Sequence, residues 1–106
     1  MMKPSVSYHD YLMKRLKDPE EAAAYLSVAL EEGDYPMFLV ALRNVAEAHG
    51  GLLDLSRKTK MSRPNLYRML SKTGRPEIYS LYQILKVFGL KLSVSASTKS
   101  SLKKAA

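Results

Sequence analysis

The chain has 106 residues, room for one small domain and no second sizeable core. Hydrophobic residues make up 46% and charged residues 25%, an ordinary globular balance, with no apolar run long enough to span a bilayer and no secretory core in MMKPSVSYHD. The absence of cysteine excludes disulfides, thiolate metal sites and thiol nucleophiles, and a cytoplasmic location is expected.

Taken in chain order, Tyr8, Tyr11, Leu12 and Leu16 share one helical face, which predicts a first amphipathic helix over 7–17. Asp18-Pro19-Glu20-Glu21 then reads as a helix start, with Asp18 as N-cap and Pro19 in the first turn. The second helix carries Ala22, Leu26, Ala29 and Leu30 on one side and stops at Gly33. Asp34 caps a third helix with Phe38, Leu42, Val45 and Ala46 as its buried stripe, ended by His49-Gly50-Gly51. Two short helices follow, over 52–60 and 64–71, then a loop over 71–76 and a helix over 77–88 with Ile78, Leu81, Leu85 and Phe88 buried. Beyond Gly89 the period changes to two: Leu90, Leu92, Val94 and Ala96 alternate with Lys91, Ser93 and Ser95, which predicts a half-buried strand over 90–96. Residues 97–106 are rich in Ser and Lys with little to bury and are expected to form a disordered basic tail. The expected fold class is all-α, five to six short helices in a single domain over 1–96, plus that short C-terminal strand.

The net charge of +7 is unevenly placed. Residues 1–50 hold five Lys/Arg against eight acids, a net of −3; residues 51–106 hold twelve against two, a net of +10. A polyanion-binding C-terminal half and an N-terminal half with another task are expected.

The segment 52–71 meets the packing demands of a helix-turn-helix. Leu55 is its first core position, Ser56 the small residue where the helices cross, and Met61 the apolar anchor after the turn. Leu66, Met69 and Leu70 face inward from the second helix, and Ser62 is its N-cap. Subtraction leaves Arg63, Asn65, Arg68 and Lys72 facing out, with Tyr67 at the margin. Arg pairs bidentately with guanine and Asn with adenine in the major groove, so Arg63, Asn65 and Arg68 are the expected base readers. Ser62, Lys72, Thr73, Arg75, Arg57 and Lys58 are the expected phosphate contacts.

These residues carry a resemblance. DLSRKTKMSRPNLYRMLS, followed by a Pro-led helix ending LKVFGL, resembles the phage-repressor (Cro/C1-type) helix-turn-helix family, which implies a lambda-repressor-like arrangement. The order DPEEAAAYLSVALEEGD, FLVALRNVAEAHGGL, helix-turn-helix and FGLKLSV is similar to the addiction-module antidote proteins over residues 11–94. The resemblance implies the antitoxin of a type II toxin–antitoxin module, which neutralises a small basic RelE/ParE-like toxin and represses its own operon. By position, the family's base-reading sites fall on Arg63, Pro64 and Arg68; Pro64 has no side-chain donor, which shifts the readout to Arg63 and Arg68. Lys60 stands where the turn usually holds Gly, so a slightly different turn is expected. Leu53 replaces a common capping Ser or Thr.

An antitoxin needs a toxin-binding surface. Glu20, Glu21, Glu31, Glu32 and Asp34 would attract a basic toxin, though the same acids also suit helix N-termini. The strand, through Leu90, Leu92 and Val94, is expected to pair with a dyad-related copy in a homodimer or to add to the toxin's sheet. A stand-alone repressor without a toxin is one alternative, and an interaction module that no longer binds DNA is another. No enzyme is expected, nor any cofactor, metal or membrane partner: His9 and His49 are the only histidines, and no metal-ligand spacing, nucleophile elbow or phosphate-binding Gly loop occurs.

Overall fold

The computed structural model describes residues 7–97, which form six helices and no strand. Helix α1 (Tyr8–Arg15) is capped by Ser7, whose hydroxyl accepts from the Asp10 amide at 3.1 Å. It buries Leu12, with Leu16 following as C-cap, while Tyr8 and Tyr11 stay exposed beside that stripe. Helix α2 (Pro19–Glu31) begins as its sequence dictates. Pro19 fills the first turn, where its missing N–H costs nothing, and the Asp18 carboxylate accepts from the Glu20 amide at 3.1 Å. Ala22, Leu26 and Ala29 are buried, whereas Leu30, expected on the same side, lies in the last turn and is 51% exposed.

Helix α3 (Tyr35–Ala48) is capped by Asp34, which accepts from the Met37 amide at 3.1 Å. It packs against α1, α2 and the next helix, α4 (Gly51–Thr59). Those three neighbours bury Leu39, Ala41 and Ala48 as well as the predicted Phe38, Leu42, Val45 and Ala46. His49, the C-cap, is a structural residue. Its Nε2 lies 2.9 Å from the Leu16 carbonyl, an acceptor, so the imidazole donates. Its ring centroid lies 5.0 Å from that of Phe88, tying the ends of α1, α3 and the last helix together.

Helix α4 packs in turn on α5 (Arg63–Met69) and α6 (Ile78–Val87). Leu16, Leu39, Leu42, Val45, Leu66, Leu70 and Ile84 are the largest fully buried side chains, so helices from both halves share one core. Ile78 corrects the expected α6 stripe. It continues the spacing of Leu81, Leu85 and Phe88, but as the first helical residue it is 72% exposed and outside the core packing.

The predicted strand over 90–96 does not form. A strand needs a ladder partner for its backbone groups, and no strand or bridge occurs among the described residues. The alternation survives as packing: Leu90 and Leu92 lie half-buried against the core, and Val94 is 99% exposed. Apart from Ser97, the expected tail over 97–106 lies outside the described residues.

Candidate nucleic-acid interface

Three residues, 60–62, join α4 to α5, and side chains set their path. Lys60 takes the left-handed conformation at φ 66°, ψ 17°, and its amide donates to the Ser56 carbonyl at 2.9 Å. The turn therefore keeps the backbone a glycine would give, at a steric cost of about 1 kcal/mol for the Cβ. Hydroxyls hold it in place. Ser56 Oγ donates to the Met61 carbonyl, Thr59 Oγ1 donates to the Leu55 carbonyl at 2.8 Å, and the Met61 amide donates to Thr59 Oγ1 at 3.3 Å. Ser56 is thus more than a small residue at the crossing. At the other end of α4, Gly50 serves as N-cap at φ 104° without a side-chain bond. An added Cβ there would meet Asp54 Oδ2 at 2.9 Å.

Helix α5 is divided into two faces. Leu66, Met69 and Leu70 are buried, and Met61 packs on the core just before the helix. Ser62 caps the start, accepting from the Asn65 amide at 3.2 Å, with Pro64 in the first turn. Arg63, Pro64, Tyr67 and Arg68 are exposed, and Asn65 is half-buried. The structure joins two of the three expected base readers: Arg68 Nη2 donates to Asn65 Oδ1 at 3.3 Å, one helical turn apart. That bond aligns a fork of donors with an amide on one exposed face. Arg63 stands exposed in the same first turn as Ser62.

The flanking residues fall into two groups. Lys72, Thr73 and Arg75 are exposed on the loop after α5, where Ser71 Oγ donates to the Arg68 carbonyl at 2.9 Å and lies 3.5 Å from the Thr73 hydroxyl. Arg57 and Lys58 are exposed on α4, but Lys58 is already engaged by Asp54 at 3.2 Å, which leaves Arg57 the freer cation.

Three features escaped the sequence reading. Arg43, on α3, places its guanidinium 4.7 Å from the Tyr67 ring centroid, adding a cation beside the outer face of α5. Arg43 and Tyr67 are distant in sequence, and no local spacing links them. Gly74 is buried where a Cβ would fall 2.1 Å from the Met69 carbonyl oxygen, so the loop lies directly on the end of α5. Lys58, Lys60 and Lys86 gather with Tyr79 and Tyr82 around a shallow depression of about 470 Å³ between α4 and α6. The lone Gly in SKTGRP was the one available signal among these.

The acids expected to meet a toxin lie elsewhere, on α2 and the turn after it, and they are not equivalent. Glu21 is held by Arg15, whose Nε donates to Glu21 Oε1 at 3.1 Å and whose Nη2 donates to the same oxygen. This hydrogen bond and the carboxylate's charge keep the Arg15 guanidinium above its ordinary pKa. Asp34 is occupied as a cap. Glu20, Glu31 and Glu32 are exposed and make no ion pair among the described residues. No cluster of three or more His, Asp or Glu suited to a metal ion occurs among the described residues, and no described helix is long and apolar enough to cross a membrane.

Comparison with known proteins gives one family. Residues 7–96 match the family described as "Probable addiction module antidote protein". A protein of Haemophilus influenzae, described as an uncharacterized protein, is 31% identical over 84 residues, which is 79% of this chain and 86% of that protein. No solved structure matches the chain.

Proposed function

Since the chain belongs to the family of probable addiction module antidote proteins, we propose that it is the DNA-binding antitoxin of a type II toxin–antitoxin module. In this reading α4 and α5 are a helix-turn-helix of the Cro/C1 type. The chain docks α5 in the major groove of the operator, represses its own operon, and neutralises a small basic RelE/ParE-like toxin. One observation carries the DNA-binding half of the reading: α5 buries Leu66 and Met69 while presenting Arg63 and Arg68, with Asn65 bonded to Arg68, in the half of the chain whose net charge is +10. A helix of that kind suits a strongly negative partner offering fork-shaped acceptors, and the guanine edge is one.

Arg63, Asn65 and Arg68 read bases. Ser62, Arg57, Lys72, Thr73 and Arg75 hold phosphates, and Lys58 does so once Asp54 releases it. Arg43 braces Tyr67 and adds charge at the edge of the groove. Two dyad-related copies suit a palindromic operator, and the operator-bound form is a homodimer. No catalytic role is assigned to the chain.

The test is a pair of titrations. A duplex from immediately upstream of the gene should bind far more tightly than a scrambled duplex. The small basic protein encoded beside the gene should form a stable complex with the chain and lose its toxicity on co-expression. Binding to the duplex without any such partner would favour a stand-alone repressor. Binding to neither would leave the interaction-module reading.

A further inference from the structure

One apolar concavity of the antidote is lined by no residue of α4, α5 or the loop over 71–76. An open trough of about 310 Å³ runs between α2 and the segment that leaves α6. Its apolar lining is Ala23, Leu26 and Leu30 of α2, Phe38 of α3, Leu85 of α6, and Leu90 and Leu92 beyond it. Leu30, 51% exposed, stands at its lip, so apolar area faces water where the rest of α2 has buried its stripe.

The charge on the α2 side of the trough has one sign. From residue 18 to residue 42 the chain holds six carboxylates and no Lys, Arg or His. This stretch supplies α2 and the start of α3, and Glu20 lines the trough itself. Of the six, Glu21 is paired with Arg15, and Asp18 and Asp34 are bound as caps. Glu20, Glu31 and Glu32 remain exposed without an ion pair among the described residues, against the single cation Lys91 in the lining beyond α6. Nucleic acid is repelled from such a surface. A protein segment carrying both apolar and basic side chains suits it, because burial of the apolar groups supplies affinity and the acids supply steering and register.

We propose that this trough is where the antidote seats its toxin, taking up a basic segment of that protein by its apolar side chains with Glu20, Glu31 and Glu32 meeting its cations. The proposal rests on the antitoxin reading above and names the surface that performs it. DNA and toxin then occupy different faces of one chain.

The experiment uses the full chain and, as probe, the small basic protein encoded beside its gene, with complex formation followed by calorimetric titration. Ala23→Arg and Leu30→Lys put a like charge into the trough at exposed positions, and Leu30→Met keeps the apolar surface. Circular dichroism melts and binding to the upstream duplex, which uses none of these residues, report folding. Ala23→Arg and Leu30→Lys should each weaken the complex by about tenfold or more, Leu30→Met should bind like wild type, and all three should melt and bind duplex like wild type. Wild-type affinity in the charged variants overturns the trough and leaves the antitoxin reading standing. Failure of the wild-type chain to bind the probe overturns the antitoxin reading itself, and the trough with it. One further result overturns the trough alone: loss of self-association rather than toxin affinity in Leu30→Lys seats a second copy there.

Discussion

Single residues in this chain do more than one task, and their substitutions separate those tasks. Lys60 is one of them. Its left-handed backbone at φ 66° makes the turn, and its Cβ carries strain that glycine would not. Lys60→Gly should therefore stabilise the protein by about 0.5–1 kcal/mol, raising the melting temperature by a few degrees, while a β-branched residue there should lower it. Thermal melts of Lys60→Gly and Lys60→Val decide this. Arg57 and Lys58 adjoin one another yet should differ on DNA. Lys58 is compensated by Asp54, and Arg57 is not. Arg57→Ala should weaken binding to all duplexes alike and reduce the slope of log affinity against log salt by about one, with a smaller change for Lys58→Ala.

At the scale of elements, local chemistry was legible and distant packing was not. The caps Asp18, Asp34 and Ser62 each act as their position next to an apolar-periodic run implies, because a cap needs a partner only two or three residues away. The inward set Leu55, Leu66, Met69 and Leu70 followed from helical periodicity for the same reason. Periodicity failed where its partner lay outside the segment. The alternation over 90–96 has the period of a strand, but with no ladder partner Leu90 and Leu92 pack on the helices instead. Arg43 over Tyr67 was invisible because tertiary packing, not sequence spacing, brings those residues together. Gly74 shows the same effect at the end of α5. A Cβ 2.1 Å from the Met69 carbonyl cannot be accommodated without moving the loop. Gly74→Ala should cost about 1–3 kcal/mol by the overpacking mechanism and weaken operator binding further by displacing Thr73 and Arg75. Denaturant melts paired with duplex titrations measure the two effects separately.

For the whole molecule, the division of charge is the organising fact: −3 in residues 1–50 and +10 in residues 51–106, on helices that share one core. Because Leu39 and Leu42 of α3 belong to the same buried cluster as Leu66 and Leu70, the two halves form one body around a shared core. Leu42→Ala should accordingly destabilise the chain by about 2–5 kcal/mol in a single cooperative transition that removes DNA binding and toxin binding together, which melts followed by circular dichroism and by duplex binding would show as coincident curves. If the exposed face of α5 reads operator DNA, the binding itself must show it. The most direct measurement is fluorescence anisotropy of a labelled duplex from immediately upstream of the gene, beside a scrambled duplex, at two salt concentrations, for wild type and Arg68→Ala. Binding should prefer the upstream duplex, fall steeply with salt, and lose about 1–3 kcal/mol of that preference in Arg68→Ala. Equal and feeble binding of both duplexes, unchanged by Arg68→Ala, would contradict readout by α5.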